Sequence, residues 1–435
     1  MICRAMSRLL LALALAACDF RAGNAPIVDA DATPAVDATA PPSPPLVFNG
    51  CSAPGGVRAS GTWADPVQVI APFTDRADTA TAASSDVDRY DCAAAGEAGG
   101  EVVYQIDIAT AGLLRIEVRE ANGVDVDVHL LRDPAVTDRV ASGCIARGNK
   151  LVERRVDPGR YVVVVDTFSN AAGHASPGQY VVAIEAWPED AWTEVAVEDG
   201  VVWRHLRSIA GPLGNQSLDV LLIDPTIRDL VPERHGGCEI VADVAARIGA
   251  RAGINGGFFD ACRSLDLVRR DGTTLTRATA GFAARQRAVA WDRHAAPVFA
   301  WVDRNADYTA HANAIGSYPS LVTAGEVLLE PELGSAFFTG RNPRTALGAT
   351  ADGKMIMVTA DGRSALGAGL TMAELANLMR ELGAVDAVNL DGGGSTTMFI
   401  DGCTTTGVVN HPSDGVGDHA GSRAVSDGLY VRMDR

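Results

Sequence analysis

The chain has 435 residues, 47% of them apolar, enough for two ordinary domains with separate cores. Its formal charge of -17 and pI of about 4.9 argue against nucleic acid as a partner, because an acidic surface repels a phosphate backbone. None of the cysteines forms a CxxC pair or a Cys/His cluster, so the spacing offers no structural zinc site.

Residues 1–17 read as a signal segment. Arg4 and Arg8 give a positive start, and Leu9 to Ala17 form an apolar run too short to span a bilayer. The run closes on Leu15-Ala16-Ala17-Cys18, which resembles the lipobox of bacterial lipoproteins. That resemblance implies lipidation at Cys18 and an exported protein, lipid-anchored to the bacterial cell envelope in the periplasm or on the outer surface. Residues 18–48 are rich in Ala, Pro, Asp and Thr and end near Pro41-Pro42 and Pro44-Pro45, a stiff, extended tether. In an exported chain, Cys51, Cys92, Cys144, Cys238, Cys262 and Cys403 predict disulfides. Three fall in each half, so either one bridge joins the halves or one thiol per half stays free.

Residues 49–188 predict a β-sandwich. Glu101 to Ile108, Leu113 to Val118, Val124 to Leu131 and Tyr161 to Asp166 are β-branched runs, with a turn signal at Asp157-Pro158-Gly159. Asp157 to Asp166 followed by Gly178-Gln179-Tyr180-Val181-Val182 resembles the bacterial pre-peptidase C-terminal domain. Asp125 and Asp127 share one strand face. Two carboxylates fall short of the six to eight oxygens calcium takes, so a solvated face is expected there.

From residue 193 to 435 the grammar changes to helix and strand together. The predicted fold is therefore multidomain: an N-terminal all-β sandwich followed by an α+β catalytic domain, a mixed sheet with helices. Two segments there share a construction. Ile240 to Ile248 predicts a helix stopped by Gly249, then a strand over Ala252 to Ile254, then Asn255-Gly256-Gly257-Phe258-Phe259. Thr371 to Leu382 predicts a second helix, with Leu375, Leu378, Met379 and Leu382 on one face and capping-box spacing between Thr371 and Glu374. Ala387 to Leu390 follows as a strand, leading into Asp391-Gly392-Gly393-Gly394-Ser395-Thr396-Thr397-Met398.

Glycines directly after a strand can aim successive N–H groups at an anion, and no Lys follows them as a P-loop would require. Arg344, Arg363 and Arg423 each lie beside Gly, Ser or Thr near a strand end, where a guanidinium fork suits phosphate. In this order the segments Asn255 to Phe259, Asn342-Pro343-Arg344-Thr345-Ala346-Leu347-Gly348, Asp361-Gly362-Arg363, Asn389 to Met398 and Arg423 to Leu429 resemble the phosphodiester glycosidase family. The resemblance covers about the last 240 residues. It implies hydrolysis of a sugar-1-phosphodiester, GlcNAc-like, to free sugar and phosphomonoester, with a phosphorylated glycan or glycolipid as substrate. Members often carry Asn-Ala where this chain has Asp427-Gly428, a departure read as affecting packing only.

Residue chemistry suggests the roles. Arg344, Arg363 and Arg423, with Gly256, Gly257, Gly392, Gly393, Gly394, Thr345, Ser395 and Thr396, would bind the phosphate and sugar. Asp391 would be nucleophile or base at the anomeric carbon, helped by Asn255 from the opposing loop. Asp361 and Asp414 are the candidates for a second carboxylate. His411 reads as an acid, a metal ligand or a loop residue, and His419 flanks the same loop. No cofactor and no metal are called for. Two other readings remain: a metal-assisted phosphodiesterase using Asp391, Asp361 and His411, and a non-catalytic binder of cell-surface glycopolymers.

Overall fold

The structure, a computed structural model, describes residues 57–432 apart from 95, 171, 210, 212, 280–283, 328–334 and 415–421. The signal segment, Cys18, the tether to residue 48, Cys51, His419 and Gly421 lie outside the described residues.

Two sheets build the first half. Six strands run in the order Val67–Val69, Glu101–Ile108, Gly159–Thr167, Val126–Thr137, Val140–Gly148, Arg89–Tyr90. Four run in the order Phe73–Asp78, Gln179–Pro188, Gly112–Glu120, Leu151–Val156. Their inner faces interdigitate through Tyr104, Val128, Val163 and Val165 from one sheet and Ile116, Tyr180 and Val182 from the other. The run from Tyr161 to Val165 lacks polar alternation because both of its faces are covered: Val162 and Val164 pack outward against Val87, Tyr90 and Leu131. Asp127 departs from expectation. Its carboxylate is buried and paired with Arg147 rather than solvated, and it lies beside buried Glu97. Burial first, and then Asp127, push the Glu97 carboxyl up to about 10.

Trp187, near the end of the strand Gln179–Pro188, leaves the sandwich and packs edge-on against Trp203 at 5.2 Å between centroids, inside the core of the second half. The Thr405 hydroxyl donates to Glu117 of the sandwich at 2.9 Å, so polar and apolar contacts both join the halves. The disulfides Cys92–Cys144 and Cys238–Cys262 each stay within one half, and Cys403 is disulfide-bonded as well.

The second half is α+β. Its largest sheet has eight antiparallel strands: Trp192–Glu198, Val201–Ser208, Gln216–Ile223, Met355–Ala360, Arg344–Thr350, Ala384–Asn389, Ser320–Thr323, Glu326–Val327. A four-stranded sheet runs Asp229–Glu239, Val425–Arg432, Ala250–Asn255, Met398–Ile400, and a five-stranded sheet covers Thr273–Thr276 to Val298–Asp303. All three contribute to one core, with Trp203 and Leu221 from the first, Ile254 and Leu429 from the second, Trp291 and Ile315 from the third. The helix Met372–Glu381 caps the outer face of the large sheet, burying Leu375, Ala376 and Met379 against Ala346, Ile356 and Val358. Its start is the expected capping box: Glu374 N–H donates to the Thr371 hydroxyl at 3.2 Å, and Thr371 N–H donates to the Glu374 carboxylate at 2.9 Å.

Two strands from different sheets, Ala250–Asn255 and Ala384–Asn389, end at the same place. The Asp391 N–H donates to the Gly256 carbonyl at 3.0 Å, which brings the two glycine loops side by side.

Candidate active site

Asn255 is the latch between the loops. Its side-chain oxygen accepts from the Thr345 hydroxyl at 2.8 Å and from Thr397 N–H at 3.1 Å. Its amide nitrogen donates to the Asp391 carbonyl at 2.8 Å and to the Gly256 carbonyl at 3.2 Å. Asn255 and Thr345 are both wholly buried. The expectation that Asn255 acts on substrate and Thr345 binds it is corrected: every hydrogen-bonding atom of the amide is engaged, and the pair positions Asp391.

The glycine turn also behaves differently from the expected nest. Gly392 N–H donates to the Asp391 carboxylate at 2.9 Å and Gly393 N–H to the Pro343 carbonyl at 2.9 Å. Ser395 and Thr396 N–H close a short 3-10 turn onto the Gly392 and Gly393 carbonyls, each at 3.2 Å. Most of the turn's donors therefore hold Asp391 and the turn itself rather than an anion. Asp391 is half-buried, and Ser395 and Thr396 are buried. The Ser395 hydroxyl faces the Asp391 carboxylate without a well-formed hydrogen bond.

The three arginines divide. Arg344 is buried and donates from Nε to the Leu370 carbonyl at 2.9 Å, and from Nη2 to the carbonyls of Phe337 at 2.7 Å and Gly340 at 3.0 Å. Burial, with Arg363 nearby, pushes it down to about 10. Its expected phosphate role is corrected to fastening the 337–344 segment to residue 370. Arg344→Lys is expected to lower unfolding stability by about 2 kcal/mol in urea titrations, since an ammonium cannot reach three carbonyls in that fork geometry. Arg363 and Arg423 are exposed and flank the turn. Arg363 holds φ of 60°, the left-handed region, and donates to the Asn342 side chain at 2.9 Å, a neutral partner that leaves its charge for an anion. A Cβ on Gly393 would lie 3.3 Å from Arg363 Nη2, and one on Gly394 would lie 2.4 Å from Arg423 Nη2. Arg423 donates to Asp414 at 2.7 Å, so Asp414 steadies an arginine at the rim.

Asp361 sits elsewhere. It is 1% exposed and accepts from Asn410 at 3.1 Å, from His411 N–H at 2.9 Å and from His411 Nδ1 at 3.0 Å. Burial raises its carboxyl, against the pull of those donors. Asn410 also donates to the Thr396 carbonyl at 3.1 Å, so Asp361 braces the turn from below. That position corrects its reading as a carboxylate at the anomeric carbon. Nor do Asp391, Asp361 and His411 converge as metal ligands. Among the described residues, ligand atoms come within that reach of one another only at Cys92, His129 and Cys144, and both cysteines are disulfide-bonded.

Two carboxyl groups given no site role from the sequence, Asp427 and Asp266, lie on the other side. Gly257 N–H donates to Asp427 at 2.8 Å, and Phe258 N–H donates to Asp266 at 2.6 Å. Both acids are buried, and both are raised, chiefly by burial. Asp391 itself is pushed up to about 6: burial raises it, the Ser395 hydroxyl, Gly392 N–H and Arg423 pull it back, and Asp427 pushes it further up. The reading of Asp427 as packing alone is thereby corrected. Its place inside the Arg423 to Leu429 motif had pointed toward the site.

A half-buried carboxyl group on a glycine turn thus lies near two exposed arginines, Arg363 and Arg423. The phosphodiester glycosidase family model matches residues 249–432. The chain is 27% identical over 248 residues to the Mus musculus N-acetylglucosamine-1-phosphodiester alpha-N-acetylglucosaminidase, covering 50% of this chain and 43% of that protein. It is 26% identical over 264 residues to the Homo sapiens enzyme of the same name, covering 53% and 47%. The chain thus spans less than half the length of these curated relatives. The auto-inhibited catalytic domain of the zebrafish enzyme superposes with a TM-score of 0.44 at 18% identity, over 56% of this chain and 82% of that one. The family match and the two curated relatives, over part of their length, support a phosphodiester glycosidase-type hydrolase.

Proposed function

We propose that the C-terminal half hydrolyses a sugar-1-phosphodiester, GlcNAc-like, at the bond between the anomeric carbon and the phosphate oxygen. Water adds to the sugar, and the phosphomonoester departs on the former glycosidic oxygen. Asp391 is the nucleophile or base, and with its carboxyl at about 6 it is ionised at neutral pH. Arg363 and Arg423 receive the phosphate and stabilise its charge as the bond breaks. The rings of Phe258 and half-buried-to-exposed Phe337, 6.1 Å apart, offer an apolar wall for a sugar face. The observation that carries this reading is the half-buried Asp391 carboxyl on a latched turn flanked by two exposed guanidinium groups. The signal segment and Cys18 support an extracytoplasmic glycan or glycolipid, reached from a lipid anchor on the cell envelope.

The test is incubation of the purified chain with GlcNAc-1-phosphodiesters, with and without EDTA, following both products by mass spectrometry. Free sugar plus phosphomonoester that survive EDTA are expected. Phosphate appearing on the sugar instead would establish P–O cleavage, and binding across a panel of sugars without turnover would establish a glycopolymer binder. Arg423→Ala is expected to lower kcat/KM about 10- to 100-fold, through loss of a charge-assisted phosphate contact. An unchanged kcat/KM would remove Arg423 from the site.

A further inference from the structure

On the outer face of the six-stranded sheet, the disulfide Cys92–Cys144 lies against a histidine that makes no hydrogen bond. His129 is wholly buried, and both of its ring nitrogens are without a hydrogen-bond partner. Nε2 lies 3.4 Å from the carboxylate of Glu97, which is wholly buried as well. Such an imidazole costs free energy that a ligand bound to it would recover. A ring nitrogen of His129 and the two sulfurs all lie within 4.8 Å of one another. Sequence spacing conceals this set, because the cysteines are 52 residues apart with His129 between them.

The three side chains are held together by more than the disulfide. Arg89 and Tyr90 pair in parallel with Val140 and Ala141. The Asp91 carboxylate accepts Gly143 N–H at 2.9 Å and Cys144 N–H at 3.0 Å, and Asp91 N–H donates to the Ala141 carbonyl at 3.0 Å. Cys92 and Cys144 therefore stay adjacent when the S–S bond is broken. His129 is stacked on Tyr90 at 3.6 Å between ring centroids, and the Tyr90 hydroxyl donates to Asp166 at 2.7 Å. Cys92 is exposed, so a reductant can reach the bond.

We propose that the reduced chain binds one zinc ion at Cys92, His129 and Cys144, so that one place in the sandwich is clasped by a disulfide when oxidised and by a metal when reduced.

Two thiolates and an imidazole suit tetrahedral zinc, and three protein ligands leave the fourth position to water. The intact disulfide is a poor ligand, because thiolate is the form that binds metal. With a phosphine as reductant, two electrons pass from phosphorus to the S–S bond, which breaks. Water supplies the oxygen that ends on phosphorus and the two protons that end on the sulfurs. Zinc then displaces both protons to solvent as the thiolates bind. The sulfurs separate to about 3.8 Å, the spacing of two thiolates on one tetrahedral zinc. Glu97 stands beside the ring as the carboxylate partner that orients a metal-bound imidazole.

The test treats the full chain with tris(2-carboxyethyl)phosphine and titrates it with cobalt(II), whose visible absorption reports a tetrahedral thiolate site. One cobalt per reduced chain is expected, none per oxidised chain, and zinc should bleach the colour. Cys92→Ser and His129→Ala are each expected to weaken binding at least about 100-fold, and Glu97→Gln about 10-fold. Cys238→Ser, in the other half, is expected to change nothing. Should His129→Ala fail to fold, Cys92→Ser at its exposed position and the shifted imidazole proton signals of the cobalt-loaded chain decide instead. No colour in the reduced chain overturns the proposal. So does unchanged affinity in His129→Ala, or colour lost with Cys238→Ser and kept with Cys92→Ser. None of these readouts involves turnover, so the outcome is separate from that of the proposed hydrolysis.

Discussion

Asp391→Asn is expected to lower kcat by at least about 10³-fold while the chain remains folded. The asparagine oxygen can still accept the Gly392 N–H that now meets the carboxylate at 2.9 Å, and the backbone contacts to Gly256 and Asn255 do not involve the side chain. What disappears is one negative charge, in a place where burial has already made that charge expensive. Thermal unfolding should therefore be unchanged or slightly higher, and only turnover should collapse. Retained turnover would move the chemistry to another residue. A collapse of both turnover and folding would make Asp391 structural. The paired measurement of kcat and unfolding midpoint separates these outcomes.

Gly256→Ala is expected to destabilise the protein by about 3 kcal/mol, at the upper end for one added methyl, and to lower the unfolding midpoint by several degrees. The added carbon would lie 1.9 Å from Asp427 Oδ1, and no rotation of that carboxyl would be enough, because the Asp427 backbone carbonyl carbon is also only 3.0 Å away. Backbone cannot swing aside there, since Asn255 pairs with Gly428 and Gly256 N–H holds the Asp427 carbonyl. Gly237→Ala is the control: its added carbon would meet nothing within 4 Å. A loss under about 1 kcal/mol at Gly256 would mean that the loop yields more readily than a packed core does.

The scaffold of the site was legible because local rules and tertiary packing agree there. The helix expected over Ile240 to Ile248 forms as Val241–Ile248, with Gly249 left-handed behind it, and the capping box at Thr371 and Glu374 is realised. The strands leading into Asn255 and Asp391 were readable from apolar runs that stop at glycine. Their meeting was implied by shared construction and by the resemblance of the motifs. What each polar atom does once there was not readable. Asn255 and Arg344 look like ligand-binding residues by type, yet their donors and acceptors close on loop carbonyls and hydroxyls that only the folded chain supplies. Asp266 was invisible because it follows no glycine signature and reaches the loop from an irregular segment. Asp127 misled in the opposite sense: strand alternation placed it on an outer face, but Val87, Tyr90 and Glu97 cover that face, and Asp127 is buried.

The strand Val425–Arg432 is paired on both sides, by Asp229–Glu239 and by Ala250–Asn255. Asp427 reaches back 170 residues to hold Gly257. At ordinary synthesis rates of roughly 5 to 20 residues per second, that interval lasts about 10 to 30 s. Throughout it, Asp391 and its arginines emerge while the loop opposite them lacks its support. Under the proposed function, turnover is therefore expected only once this strand docks, and proteolytic removal of the strand is expected to abolish it while leaving Asp391 in the chain.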